Sequence, residues 1–432
     1  MNTQQLLAFL DESPVNYLAI SAMEHRLKEH GYKCLDARER FLQAEPGDKF
    51  YVTKNGSALF AFHIGRQRID DGGFHLICAH SDSPTFRIKP DAEIIGGHGM
   101  VRLNVELYGG AIMSTWFDRP LSLAGRVVLR SEDPMHPEVR LLHIKRPLLT
   151  IPNLAIHFNR QVNDGVKLSK QKDMLPVLGL VTKELEWNGM LLNVIADELG
   201  ADFTDILDFD LYLYDTTPAC RVGVHNEFIS AGRLDDLSMV HAGLTALLNT
   251  SQDIPQTTSV LAIFDNEETG SQTKQGAGSP FLASLIERLV IVQGGVPNDF
   301  FRAVENAFMI SADNAHAWHP NYSEKYDPVL HPMLGGGPVV KYNASQKYAS
   351  DAESAAVFMQ LCQQVGVPCQ RFVNHSDVAG GSTLGNILAG SLPLRGVDMG
   401  NPILGMHSIR ELGAAFDHEA VIKVFEQFYR VR

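Results

Sequence analysis

Positive charge, cysteine and long apolar runs are all scarce in this 432-residue sequence. Its five cysteines (Cys34, Cys78, Cys220, Cys362 and Cys369) are scattered and include no C-x-x-C pair. A disulfide framework and a thiolate zinc site are therefore not expected. No apolar stretch approaches the ~20 residues that cross a bilayer. The opening MNTQQLLAFLDESPVNY lacks the basic region and apolar core of a secretory signal, so a soluble, cytoplasmic protein is expected. Lysine and arginine number 37 against 50 aspartates and glutamates, a formal net charge of −13. That balance argues against nucleic acid or an anionic membrane as the main partner. A locally positive pocket, above all one built around metal ions, remains compatible with it.

What is present is globular: 45% hydrophobic and 20% charged residues, in a chain long enough for two domains. Leu6, Leu7 and Leu10 share a helical face, and a second helical run covers Tyr17 to His30 before Gly31. Phe50 to Ile64 reads as a hairpin turning at Asn55-Gly56. Three short apolar runs, Phe74–Ala79, Ser259–Phe264 and Ala307–Ile310, each end abruptly in polar residues. Helical patterns at Asp235–Leu248 and Asp351–Val365 lie between later strands. Buried strands alternating with helices predict an α/β fold with a mixed, largely parallel sheet flanked by helices. Between about Asp91 and His225 the pattern shifts to alternating half-buried strands, as at 126–130, 140–144 and 208–214. This predicts a β-rich domain at 92–226, inserted into a catalytic domain formed by 1–91 and 227–432.

Five residues are metal-ligand types placed at turns or element boundaries: His80, Asp235, Glu268, Asp313 and His407. Imidazole nitrogen with carboxylate oxygen is the donor set of hydrolytic zinc, and two histidines with three carboxylates suit two ions sharing one bridge. Glu267, beside Glu268, fits a general base for water. Asp82, two residues after His80, fits an acceptor for the other imidazole N–H. Taken singly, each has an ordinary structural reading: an acidic first turn for Asp235-Asp236, an Asx turn for SADN, a core histidine for His407. Five together, three of them just past strands, favour metal chemistry.

In order, the chain carries AHSDSPTFRIKP (79–90), YGGAIMSTWFDRPLSLAGRV (108–127), IPNLAIHFNR (151–160), RLDDL (233–237), FDNEETGSQTKQGA (264–277), SADNAHAWHPNY (311–322), GPVVKYN (337–343) and MHSIRE (406–411). Across nearly its whole length it thus resembles the aspartyl aminopeptidase family of dinuclear zinc exopeptidases. The resemblance implies one zinc on His80 and Asp313, the other on Glu268 and His407, with Asp235 as the bridge and Glu267 as the base. It implies peptide substrates beginning with aspartate or glutamate, and gives Lys341 the position that meets the acidic side chain. It also implies that the inserted domain mediates dimerisation, that dimers assemble into a dodecamer, and that His157 serves a neighbouring subunit's active site. Against the resemblance, His157 reads equally as a buried strand histidine, and on residue type alone Lys341 reads as a solvated strand lysine. The segment 374–385 departs from the family pattern, and Pro120 stands where an acidic residue usually follows WFDR. Rival readings are a broad-specificity aminopeptidase, a dinuclear metal deacylase, and a non-catalytic scaffold; the last would have lost a ligand or the base, and none is lost.

Overall fold

Alternate residues of a strand face opposite sides of its sheet, and in the central strands of this chain both sets are apolar. Leu76 and Cys78 point to one core while Ile77 and Ala79 point to another, and Val260, Ala262 and Phe264 divide from Leu261 and Ile263 in the same way. A strand apolar on both faces must be covered on both, which is the condition of a buried, largely parallel sheet.

The computed structural model describes residues 2–41, 44–95, 99–181 and 189–431. By contact they form two units. The first comprises Met1–Asp82, Ala219–Met406 and Glu411–Arg432; the second comprises Ser83–Pro218 with His407–Arg410.

The first unit holds a nine-stranded sheet among the described residues. Its strands are β1 (Lys33–Cys34), β2 (Lys49–Lys54), β3 (Ala58–His63), β4 (Phe74–His80), β5 (Thr258–Phe264), β6 (Phe308–Ala312), β7 (Val339–Lys341), β8 (Gln370–Phe372) and β9 (Arg395–Gly400). Their spatial order is β1-β2-β3-β5-β4-β6-β9-β7-β8. The centre, β5-β4-β6-β9, is parallel, while β3 and β7 run antiparallel to it. Residues of the helices Asn2–Glu12, Asn16–Glu29, Leu234–Asn249, Ala352–Gln364 and Ala415–Arg430 fill one core; Phe281–Val292, Pro297–Glu305 and Leu384–Leu388 fill the other. The hairpin β2–β3 turns at Asn55 and Gly56 with φ of +60° and +68°. Two consecutive positive φ values match the strand twist, and Asn-Gly tolerates them. Asp351 caps the Ala352–Gln364 helix, accepting from the Ser354 amide at 2.7 Å.

The second unit is a six-stranded antiparallel sheet among the described residues, in the order 138–143, 121–129, 206–215, 85–95, 100–108, 177–180. Phe86, Trp116, Leu123, Val127, Leu211 and Leu213 make its core, with Leu191 and Ile195 of the helix Met190–Leu199. Among the described residues no helix is long and apolar enough to cross a membrane.

Candidate metal centre

β5, β4 and β6 lie side by side and parallel, with Phe264 level with His80 and Ser311 level with Cys78. Their carboxyl ends therefore leave the sheet at one edge. The residues found there are polar: His80, Ser81 and Asp82 from β4, Asp265 to Glu268 after β5, and Asp313 after β6. The carboxyl ends of strands are where open α/β sheets bind ligands.

Asp235 comes from the start of the helix Leu234–Asn249, directly after Arg233 at φ +61°. A left-handed conformation is costly for a residue with a side chain and persists where the surroundings hold it. Here the Arg233 guanidinium donates to the carbonyls of Leu10 and Ser13. Asn266, at the same φ, precedes Glu267, and its side-chain oxygen accepts from Thr273 Oγ1 and Gln275 Nε2. The peptide between Asp235 and Asp236 is cis.

These elements bring the predicted residues together. One donor atom each from His80, Asp235, Asp236 and Asp313 lies within 4.8 Å of the others, as does one each from His80, Glu267 and Glu268. His80 Nε2 is 3.5 Å from Asp235 Oδ1, and its Nδ1 is 3.0 Å from the Asp82 carbonyl oxygen. A carbonyl only accepts, so in a neutral ring Nδ1 carries the proton and the Nε2 lone pair faces the cluster. The spacing of His80 and Asp82 predicts a carboxylate acceptor for that N–H, and Nδ1 faces both the carbonyl and the carboxylate of Asp82. Asp82 Oδ1 is 3.4 Å from Nδ1, while its two oxygens accept the amides of Glu267 and Glu268, each at 3.1 Å. Asp82 thus holds the backbone that carries the base candidate and a ligand candidate.

Asp236, Asn314 and Glu411 are the supporting residues that sequence reasoning missed. Asp236 Oδ2 accepts the His80 amide at 3.1 Å, and Glu411 Oε2 accepts the Asp235 amide at 3.1 Å. Asn314 Nδ2 donates to the Leu234 carbonyl at 2.6 Å and to Ser238 Oγ at 2.9 Å. The sequence signals for them are adjacency to Asp235 and Asp313 for Asp236 and Asn314, and membership of MHSIRE for Glu411. Lys341 is buried, 3% exposed, rather than solvated. Its Nζ donates to the Asn314 carbonyl at 3.0 Å and lies 3.5 Å from Asp313 Oδ2.

Desolvation dominates the electrostatics. Burial pushes Glu267 up to about 8 and Asp236 and Asp313 above the usual carboxylate range, with neighbouring carboxylates adding to it. Burial opposes charge on His80 and Lys341, yet the adjacent carboxylates prevail and raise both. So dense a set of buried acids against one imidazole and one ammonium calls for more positive charge, and a seated cation would pull the carboxyls back down. Imidazole and carboxylate donors fit a divalent ion of the zinc type.

Two predicted residues belong to the second unit. His407 is half-buried at φ +68°, its Nδ1 3.2 Å from the Gly110 carbonyl oxygen. His157 is exposed on the short turn Ile156–Phe158, not buried on a strand.

Residues 9–429 match the family model described as aminopeptidase I zinc metalloprotease (M18). The chain belongs to the M18 aminopeptidase family. It is 49% identical over 428 residues to a probable M18 family aminopeptidase 2 of Clostridium acetobutylicum, covering 99% of this chain and 98% of that one. A namesake from Pseudomonas aeruginosa is 42% identical, covering 99% and 97%. Among solved structures, the Ape4 and Nbr1 complex matches with a TM-score of 0.95 at 36% identity, over 99% of this chain and 85% of that one. The S. cerevisiae mApe1 dodecamer matches at 0.85 and 27% identity, over 99% and 95%. As an M18 protein the chain is a metallo-aminopeptidase of the zinc metalloprotease class, and its fold is that of its M18 relatives.

Proposed function

We propose that this M18 aminopeptidase removes N-terminal aspartate or glutamate from cytoplasmic peptides, using two divalent ions, zinc by preference. The observation that carries the specificity is Lys341, a buried ammonium 3.5 Å from Asp313 at the rim of the cluster. A buried cation is costly unless paired, and an acidic substrate side chain adds a second anion to the one already there.

His80 and Asp313 would hold one ion, Glu268 and His407 the other, and Asp235 both; the last three assignments also rest on the likeness of RLDD, DNEE and MHSIRE to the aspartyl aminopeptidases. When bound, the ions supply Lewis acidity, polarising the scissile carbonyl and acidifying the attacking water. Glu267 takes the proton of that water and returns it to the departing amine. Asp82 keeps Glu267 and Glu268 in place through their amides, and Asp236 keeps His80 in place through its own. The inserted domain, 92–226, is proposed to pair subunits into dimers that build a dodecamer, with His157 serving the neighbouring site. Exposed Leu154, Ile156 and Phe158 support an interface there.

The test is hydrolysis of aspartyl, glutamyl, leucyl and N-acetyl substrates by zinc-loaded protein, with and without chelator, for the wild type and Lys341→Met. The expected result is chelator-sensitive cleavage fastest on the two acidic substrates, with Lys341→Met lowering the aspartyl-to-leucyl ratio of kcat/KM at least tenfold. Leucyl preference in the wild type would establish a broad aminopeptidase, N-acetyl cleavage alone a deacylase, and inactivity with metal present a scaffold. An unchanged ratio in Lys341→Met would leave Lys341 only its structural contact with Asp313.

A further inference from the structure

Asp235 and the pair Glu267 and Glu268 come from distant parts of the sequence, yet one short stretch, 10–16, bonds to the chain beside both. Between the helices Asn2–Glu12 and Asn16–Glu29 the backbone turns at 13–15. Two carbonyls of this stretch, those of Leu10 and Ser13, accept from the Arg233 guanidinium at 3.0 and 3.2 Å. Its last residue, Asn16, donates from Nδ2 to Asp265 Oδ1 at 3.0 Å, and that same oxygen accepts the Asn266 amide at 2.8 Å. Leu10, Ser13, Asn16 and Asp265 are all buried. The Asn16 amide is itself fixed, because its Oδ1 accepts the Tyr17 backbone N–H at 2.9 Å. Arg233 and Asn266, the residues gripped in this way, both stand at φ +61°, a conformation that surroundings must hold.

We propose that Asn16 is a positioning residue for the reaction, fixing through Asp265 the turn that presents Glu267 and Glu268, while Leu10 and Ser13 fix Arg233 ahead of Asp235. The stretch 10–16 is then a brace that sets two segments of one centre against each other. It rests on the roles proposed above for Asp235, Glu267 and Glu268. An apolar side chain at position 16 would fill the space but leave the buried Asp265 carboxylate one donor short. Asp265 would recover a partner only by moving, and the Asn266 amide bonded to the same oxygen would move with it. A shift of about 1 Å leaves a fold intact yet costs a catalytic group about 10²-fold in rate. Lys341 is held separately, by the Asn314 carbonyl and Asp313, so recognition of the substrate side chain should survive.

The test uses full-length protein carrying Asn16→Leu, or the exchange of Asn16→Asp with Asp265→Asn, which again sets an amide against a carboxylate. Thr3→Val is the control: it removes a hydrogen bond of the same N-terminal region, to Glu419 at 3.0 Å, away from the centre. In zinc-loaded Asn16→Leu, kcat on an aspartyl substrate is expected to fall at least tenfold with KM within twofold of wild type. The exchanged pair should recover most of that loss. In metal-free protein, hydrogen–deuterium exchange of the peptide covering 266–268 should quicken in Asn16→Leu and not in Thr3→Val. Should Asn16→Leu not fold, Asn16→Ser carries the same readings, since its hydroxyl is too short to span the gap. The proposal is overturned by a smaller loss of kcat, by an equal loss in Thr3→Val, by unchanged exchange at 266–268, or by a folded double variant that recovers nothing. Glu267→Gln, assayed alongside, keeps the base assignment distinct: retained turnover there removes the base, while exchange at 266–268 still decides the brace.

Discussion

Glu267 and Glu268 are chemically identical neighbours, and only their surroundings can give them different work. Both are half-buried and both amides are held by Asp82. As the proposed proton carrier, Glu267 has a role that an amide cannot fill, whereas the proposed ligand set does not include it. Glu267→Gln is therefore expected to keep its metal, measured by elemental analysis, while kcat falls on the order of 10²- to 10⁴-fold. Retained turnover in a metal-replete variant would remove Glu267 from the base position. At this scale the sequence is legible where residue type and position coincide: His80, Asp235, Glu268 and Asp313 are ligand types at strand ends or a helix start. The supports are harder to read, because their bonds exist only after folding. Asp82 looks like a partner for the imidazole two residues away, and beside that contact its carboxylate also holds amides 185 and 186 residues further on. Asp236 and Asn314 look like spare polar neighbours of Asp235 and Asp313 until the His80 amide and the Leu234 carbonyl reach them.

Strands and helices are the most legible part of this chain. Apolar runs ending in polar clusters gave away β4, β5 and β6, and Asn-Gly marked the β2–β3 turn, since these signals act locally. Strand order is different: nothing in β4 announces that β5, some 180 residues later, lies on one side of it and β6 on the other. The same holds for the helix pair Leu234–Asn249 and Ala415–Arg430. Each carries a histidine, and His241 Nδ1 and His418 Nε2 meet at 3.0 Å in the core. The Phe9 ring, Thr245, Arg26 and Glu419 surround them. Burial holds His418 down to about 4 and His241 well below its usual value. In the unfolded chain both take a proton near 6.5. Between those values the unfolded state binds more protons, so stability is complete above pH 6.5 and is lost as pH falls toward the folded pKa. His418→Gln removes one such group, so its stability deficit should shrink by on the order of 1 kcal/mol between pH 6.5 and 5.5. Urea midpoints across that interval check it; parallel curves for the two proteins would mean that His418 is not held neutral.

At the scale of the whole molecule, the sequence signals an insertion by a change of texture, from buried runs to half-buried alternation between about 91 and 225. What texture cannot convey is which surface of such a unit a second subunit covers. The second unit exposes Leu154, Ile156 and Phe158 within one short segment, Phe158 being 82% exposed. Single exposed apolar side chains are ordinary, but a cluster of large ones in consecutive turns marks an interaction surface. A second copy of the chain is the proposed occupant, and His157 lies in the middle of the segment. Two substitutions separate assembly from catalysis. Phe158→Asp puts a charge where an apolar contact is proposed, so native mass spectrometry should show smaller species at a given concentration, and activity per subunit should fall with them. His157→Ala leaves the apolar contact intact, so the assembly should keep its mass while kcat/KM drops at least tenfold. An unchanged mass for Phe158→Asp would move the interface elsewhere. An active His157→Ala in an intact assembly would leave each subunit's site complete without its neighbour.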